Sequence, residues 1–180
     1  MDNLLEYLNE NSSLSDEELD KLAGQFRVKE ILRGDFWIRK DEYCNDIAFL
    51  SNGILRTFYA KKDEEITIEF NFPDSFITIF GCSADNKSPC NYQALVDCKL
   101  LLVNKELHRK IIRNSLHSFD FYEKKLNRIF AHKGKKLVSL LYMKAEARFE
   151  MLFEEQPKIF NLVPLKFIAS NLGIAPETLS

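Results

Sequence analysis

Pro164-Leu-Lys-Phe-Ile-Ala-Ser-Asn-Leu-Gly-Ile-Ala-Pro-Glu-Thr-Leu-Ser180 closes the chain and reads as one helix, a tight turn and the opening of a second helix. Leu165, Ile168, Ala169 and Leu172 recur at three- and four-residue steps and give the first helix an apolar stripe. Gly173 supplies the turn, and Pro176 suits the first turn of the next helix, where a missing N–H costs nothing. In a helix-turn-helix the second helix lies against base edges in the major groove. Lys166, Ser170, Ala175, Pro176, Glu177, Thr178 and Ser180 are then the DNA-facing candidates. Only four residues follow Pro176, so the second helix is expected to be incomplete. The same pattern also suits a plain helical hairpin, and its surroundings must decide between the two.

Upstream, the net charge of −2 hides an uneven distribution. Met1 to Asn104 carries 11 Lys+Arg against 19 Asp+Glu, Lys105 to Arg148 carries 12 against 4, and Phe149 to Ser180 carries 2 against 4. A basic middle stretch suits a flank facing phosphates, or simply a solvated helical face. That stretch is helical in pattern through Arg148. Phe119, Tyr122, Leu126, Ile129 and, after a break expected at Lys133-Gly134, Leu137, Leu140 and Leu141 form an apolar seam. A seam of this length wants a partner, either the chain's own barrel or a second copy across a two-fold axis.

Before Lys105 the period changes. Asp2 to Asn9 and Ser15 to Gln25 read as short helices, the second opened by the capping box Ser15-Asp-Glu-Glu18. From Val28 to Val103 short strands alternate with turn residues at 33–35, 40–42, 51–53, 61–63 and 72–74. In Ile54-Leu-Arg-Thr-Phe-Tyr59 and Ile66-Thr-Ile-Glu-Phe-Asn-Phe72 polar and apolar positions alternate, which predicts a jelly-roll barrel. Phe36, Phe49, Phe58, Phe70, Phe72, Phe76 and Phe80 are expected to fill it.

Phe167 to Ser180 resembles the DNA-reading motif of the Crp/Fnr family of bacterial transcription regulators, in the form I-A-S-x-L-G-I-x-P-E-T-L-S of its Bacteroidetes-type members. Ala145-Glu-Ala-Arg148-Phe149 resembles the entry to that family's DNA-binding domain, and Ile47-Ala-Phe-Leu-Ser-Asn-Gly53-Ile-Leu-Arg56 its barrel strand and glycine turn. The resemblance implies an α+β chain. Residues 1–114 would form a cyclic-nucleotide-binding-like jelly-roll (double-stranded β-helix) with N-terminal helices, 115–143 a dimerisation helix, and 144–180 an incomplete (winged) helix-turn-helix. It also implies a cytoplasmic homodimer on a two-fold symmetric DNA operator, with Phe119, Tyr122, Leu126, Ile129, Leu137 and Leu140 at the dimer interface.

Cyclic-nucleotide-binding members carry F-G-E and, after a short loop, R-[ST]-A, whose Glu holds the ribose and whose Arg pairs with the cyclic phosphate. Here Cys82 follows Phe80-Gly81, and Ser88 or Pro89 falls near the Arg position. No Arg occurs between Arg56 and Arg109, and no Glu between Glu69 and Glu106, so no shift of alignment restores the pair. The expected pocket is more apolar, edged by Phe72, Phe80, Gly81, Cys82, Ser88, Pro89, Cys90, Tyr92 and Lys133, for an unknown small-molecule effector or none.

Other classes fit poorly. A jelly-roll metalloenzyme needs His and carboxylate ligands converging from strands, whereas His108, His117 and His132 all fall in the helical region. Cys44, Cys82, Cys90 and Cys98 lack paired C-x-x-C spacing, so no zinc site is expected. Some members of the family that the chain resembles carry an iron–sulfur cluster on closely spaced cysteines near the N-terminus, where this chain has only Cys44, so the resemblance implies no such cluster, and no cofactor is expected. No long apolar run predicts a membrane span or a signal core. The expectation is a DNA-binding regulator and not an enzyme. A dimerising small-molecule-binding or interaction module without DNA binding stands as the alternative.

Overall fold

The computed structural model of the chain describes residues 1–12, 14–62, 64–77, 86–113 and 116–176, with the side chains of 111–113, 116–119 and 121–122 outside the description. Two helices, α1 (Asp2–Asn11) and α2 (Asp16–Ala23), come first. The capping box forms as the sequence predicts: the Ser15 hydroxyl accepts the Glu18 N–H, and the Glu18 carboxylate accepts the Ser15 N–H at 2.9 Å.

Eight strands follow: β1 (Arg27–Ile31), β2 (Phe36–Ile38), β3 (Asp46–Asn52), β4 (Leu55–Lys61), β5 (Glu64–Asn71), β6 (Ser75–Ile77), β7 (Asn91–Ala94) and β8 (Cys98–Asn104). They pair antiparallel in two four-stranded sheets, ordered β1-β8-β3-β6 and β2-β7-β4-β5, which is the jelly-roll arrangement. Each of the five expected turns contains a left-handed residue, Gly34, Asp41, Gly53, Lys62 and Asp74 in chain order. At Gly53 both the conformation (φ +100°) and the space demand glycine, because a Cβ would lie 2.6 Å from the Asp97 carbonyl oxygen and the Cys98 sulfur.

The phenylalanines do not fill the barrel. Its interior is Ile31, Trp37, Ile38, Cys44, Ala48, Leu50, Leu55, Ile77, Cys90, Tyr92, Ala94, Cys98, Leu100 and Leu102. Phe49 and Phe76 lie on the outer face of the first sheet with Leu4, Leu8, Leu19 and Leu22 of α1 and α2. Phe70 packs with the C-terminal helices, and Phe72 against the same cluster. Phe80 lies outside the described residues. Helices cover both sheets from outside, so each covered strand has two apolar faces, and Phe49, Phe70 and Phe76 take outer ones while Trp37 and Tyr92 point in.

The C-terminal part is helical: α3 (Lys105–Arg113), α4 (Leu116–Tyr142), α5 (Ala145–Glu155), α6 (Ile159–Leu162) and α7 (Leu165–Leu172). The break expected at Lys133-Gly134 does not occur, and α4 runs through it for 27 residues. One interior glycine costs about 1 kcal/mol, too little to interrupt a helix held by tertiary contacts. Ile159, Val163, Ile168 and Leu172 form a core with Ile54 and Phe70 of the barrel.

Candidate functional site

Helix α7 ends as its sequence requires. Gly173 adopts φ +67°, its N–H reaches the Ser170 carbonyl, and the Ile174 N–H reaches the Ala169 carbonyl at 3.1 Å. This double closure is a Schellman motif, and Ile174 returns to the apolar cluster beneath α7. Ala175 and Pro176 follow, exposed.

The opposite side of α7 grips β5. Because β5 is the outer strand of its sheet, one side of its backbone has no strand partner. The Ser170 hydroxyl accepts the Thr67 N–H at 2.8 Å and donates to the Glu65 carbonyl at 3.0 Å. The buried Asn171 amide donates to the Thr67 and Ile68 carbonyls, at 3.4 and 3.0 Å. From α4, the Lys136 ammonium donates to the Asn171 carbonyl and side-chain oxygens, both at 2.9 Å. The edge of β5, α4 and α7 are thus joined at one place.

Arg56 completes the joint. Leu55 points into the barrel, so its neighbour on β4 points out, and Arg56 is only 1% exposed. Its Nε donates to Thr67 Oγ1 at 2.9 Å and its Nη1 to Glu65 at 2.7 Å. The guanidinium carbon lies 3.8 Å from the Phe167 ring centroid and 4.2 Å from that of Phe58. Burial lowers the Arg56 pKa, and the Glu65 carboxylate opposes that shift.

The DNA-facing candidates separate on this geometry. Lys166, Ala175 and Pro176 face solvent, whereas Ser170 is engaged by β5. Glu177, Thr178 and Ser180 lie outside the described residues.

The pocket candidates fall in two places. Cys90 and Tyr92 belong to the barrel interior, Tyr92 edge-on to Trp37 at 5.6 Å. Ser88 is buried beside them, its hydroxyl donating to the Cys90 carbonyl at 2.7 Å, and Pro89 is half-buried. Burial raises the Cys90 thiol pKa. Phe72 and Lys133 instead line a separate cavity between the barrel and the helices, where Lys133 pairs with Glu69 of β5. Phe80, Gly81 and Cys82 lie outside the described residues. Sequence reasoning placed Lys133 in the sensor pocket without its partner, because a contact spanning 64 residues leaves no local signal.

On α4 the outward stripe is Leu126, Phe130, Leu137 and Leu141, at 39%, 70%, 59% and 69% exposure, with Gly134 between them. Leu140 is exposed at its margin, whereas Ile129 is half-buried and lies about 100° round the helix from Phe130. The side chains of Phe119 and Tyr122 lie outside the description. Phe130 was missed in sequence, although its four-residue step from Leu126 continues through Gly134 to Leu137 and Leu141.

No protein-family model matches the chain, and no curated protein does. Solved structures match its fold. A proposed transcriptional regulator of the crp/fnr family from Eubacterium rectale superposes with TM-score 0.72 at 16% identity, over 96% of this chain and 82% of the other. A CooA variant from Carboxydothermus hydrogenoformans gives 0.71 at 17%, over 98% and 80%. The Catabolite Activator Protein of Thermus thermophilus gives 0.60 at 17%, over 93% and 81%. At these identities the likeness establishes the fold: a jelly-roll barrel of the kind found in transcriptional regulators, followed by a long helix and a helical C-terminal part.

Proposed function

We propose that the chain is a DNA-binding transcriptional regulator acting as a homodimer, with residues 1–114 as a sensor barrel, 115–143 as the dimerisation helix and 144–180 as the DNA-reading part. The observation that carries this reading is α7 with its Gly173 closure and Pro176 beyond, in a chain whose 27-residue α4, with α5 and α6 between them, carries an outward apolar stripe. The fold's likeness to solved structures over about four fifths of their length supports this reading. No helix among the described residues is long and apolar enough to cross a membrane, and we place the protein in the cytoplasm.

Cyclic nucleotides are poor candidates for the effector. Arg56, the last arginine before the missing cassette position, is committed to Glu65, Thr67 and Phe167 outside the barrel. A buried cyclic phosphate would lack its bidentate partner, so cyclic AMP and cyclic GMP should bind no tighter than about millimolar by titration calorimetry.

Selection from a random duplex library with the full-length gene product tests the main reading. The expected result is a two-fold symmetric motif with half-sites about 34 Å apart. Binding without a symmetric motif, lost uniformly with salt, would leave an interaction module in its place.

A further inference from the structure

Between β5, α4, α5 and α7 lies a cavity of about 590 Å³, on the outer side of the barrel wall. Its floor is apolar, formed by Phe70, Phe72, Leu152 and Ile159. Cations cluster at its rim: Lys133 and Lys136 from α4 and Arg148 from α5, with Lys135 beside them, against the carboxylates of Glu69 and Glu155. The rim is therefore net positive. Arg148 is held in place, its Nε donating to the Leu172 carbonyl at 2.9 Å and its Nη1 to the Met143 carbonyl at 2.6 Å. Lys136 has a depressed pKa, first from burial and then from the charges of Arg148 and Lys133, with Glu69 and Glu155 opposing. An anion among these groups would relieve that repulsion.

A second feature narrows the chemistry. Glu69 presents one carboxylate oxygen to Lys133, while the other, Oε2, is buried and accepts no hydrogen bond among the described residues. A buried acceptor left unsatisfied costs about 1–3 kcal/mol, and an N–H or O–H delivered from the cavity removes that cost.

We propose that this cavity binds a small amphipathic organic acid: an apolar body on the phenylalanine and leucine floor, an anionic group toward Lys136 and Arg148, and an N–H or O–H donor toward Glu69. The site differs from the barrel interior, and its occupant bridges the barrel and the C-terminal helices directly. The proposal does not depend on DNA binding, because its test reads occupancy alone.

Indole-3-acetate carries all three features, 1-naphthaleneacetate lacks the donor, and 3-methylindole lacks the carboxylate. The chain has three methionines, Met1, Met143 and Met151, of which only Met151 lines the cavity. With ¹³C-methyl methionine, titration of indole-3-acetate should move the Met151 resonance saturably while Met1 stays in place. Each of the other two probes should bind about tenfold more weakly, one charge-assisted or otherwise unsatisfied hydrogen bond being lost. Lys136→Met should weaken indole-3-acetate by about tenfold and leave 3-methylindole unchanged, with the thermal melt reporting that the variant is folded. Should it fail to fold, the three-probe series on the unmodified chain still decides. No saturable Met151 shift up to about 10 mM, an affinity too weak for a built site, would overturn the proposal. Equal affinity for all three probes would overturn it as well.

Discussion

Ser170 of α7 and Thr67 of β5 lie 103 residues apart and share a 2.8 Å hydrogen bond, the hydroxyl of one accepting the backbone N–H of the other. The same hydroxyl donates to the Glu65 carbonyl, so one serine serves both a donor and an acceptor on an unpaired strand edge. Edge strands invite foreign pairing, and here the C-terminal helix takes the place a further strand would occupy. Ser170→Ala removes both bonds at once. The expected cost is about 1–2 kcal/mol in denaturant unfolding, with faster hydrogen exchange at the Thr67 amide. Unchanged exchange there would mean that α7 does not rest on β5 in solution.

Arg56 gives a sharper test of the same joint. Its planar guanidinium is stacked between Phe58 and Phe167 while donating to Thr67 and Glu65, a combination that the ammonium of lysine does not reproduce. Arg56→Lys should therefore cost about 2 kcal/mol or more. Glu65→Gln should cost under about 1 kcal/mol, since Glu65 is 48% exposed and its charge is screened. Urea titrations of the two variants compare them directly, and a larger loss for Glu65→Gln would refute the stacking argument.

The features legible in the sequence are those with local causes. Gly34, Asp41, Gly53 and Asp74 mark turns because left-handed backbone favours glycine and aspartate, and Ser15 with Glu18 or Gly173 with Ile174 work within six residues of chain. Alternation along the strands gave the jelly-roll, but it does not say which face is inside when both are covered, and the phenylalanines were assigned to the wrong one. Docking was beyond reach. That Lys133 meets Glu69, and that Ser170 spends its hydroxyl on β5, follow from how α4 and α7 settle on the barrel.

Buried His108 and half-buried Lys125 predict a fold whose stability rises with pH. Burial, reinforced by the charge of Lys125, lowers the His108 pKa from 6.5 to about 4. Burial lowers that of Lys125, whose Nζ lies 3.4 Å from the Phe76 ring centroid, from 10.5 to about 7. For both groups the unfolded chain binds protons more readily than the folded one, so stability rises with pH through each window. His108 contributes fully above pH 6.5, and up to about 3 kcal/mol is lost as pH falls to 4. Lys125 makes the fold less stable at pH 7 than at pH 10.5, by roughly 4 kcal/mol at most. Lys125→Met should raise the unfolding free energy at pH 7 and flatten its rise toward pH 10. A variant less stable than the parent at pH 7 would show that the ammonium is retained and favourable.

The seam on α4 separates two adjacent residues that sequence alone treats alike. Phe130 is 70% exposed in line with Leu126, Leu137 and Leu141, whereas Ile129 is half-buried on the flank. If two copies pair along this stripe, Phe130 sits in the interface and Gly134 lets the helices approach closely at its centre. Phe130→Glu would then bury a carboxylate in each dimer and cost several kcal/mol of association, while barely altering the monomer, where position 130 faces water. Ile129→Glu should act the other way, lowering the unfolding free energy with a smaller effect on association. Sedimentation equilibrium at micromolar concentration distinguishes them: dimer for the parent, monomer for Phe130→Glu, and a less stable dimer for Ile129→Glu. A monomeric parent would remove the dimer from the proposed function. Dissociation by Ile129→Glu but not by Phe130→Glu would place the interface on the opposite flank of the helix.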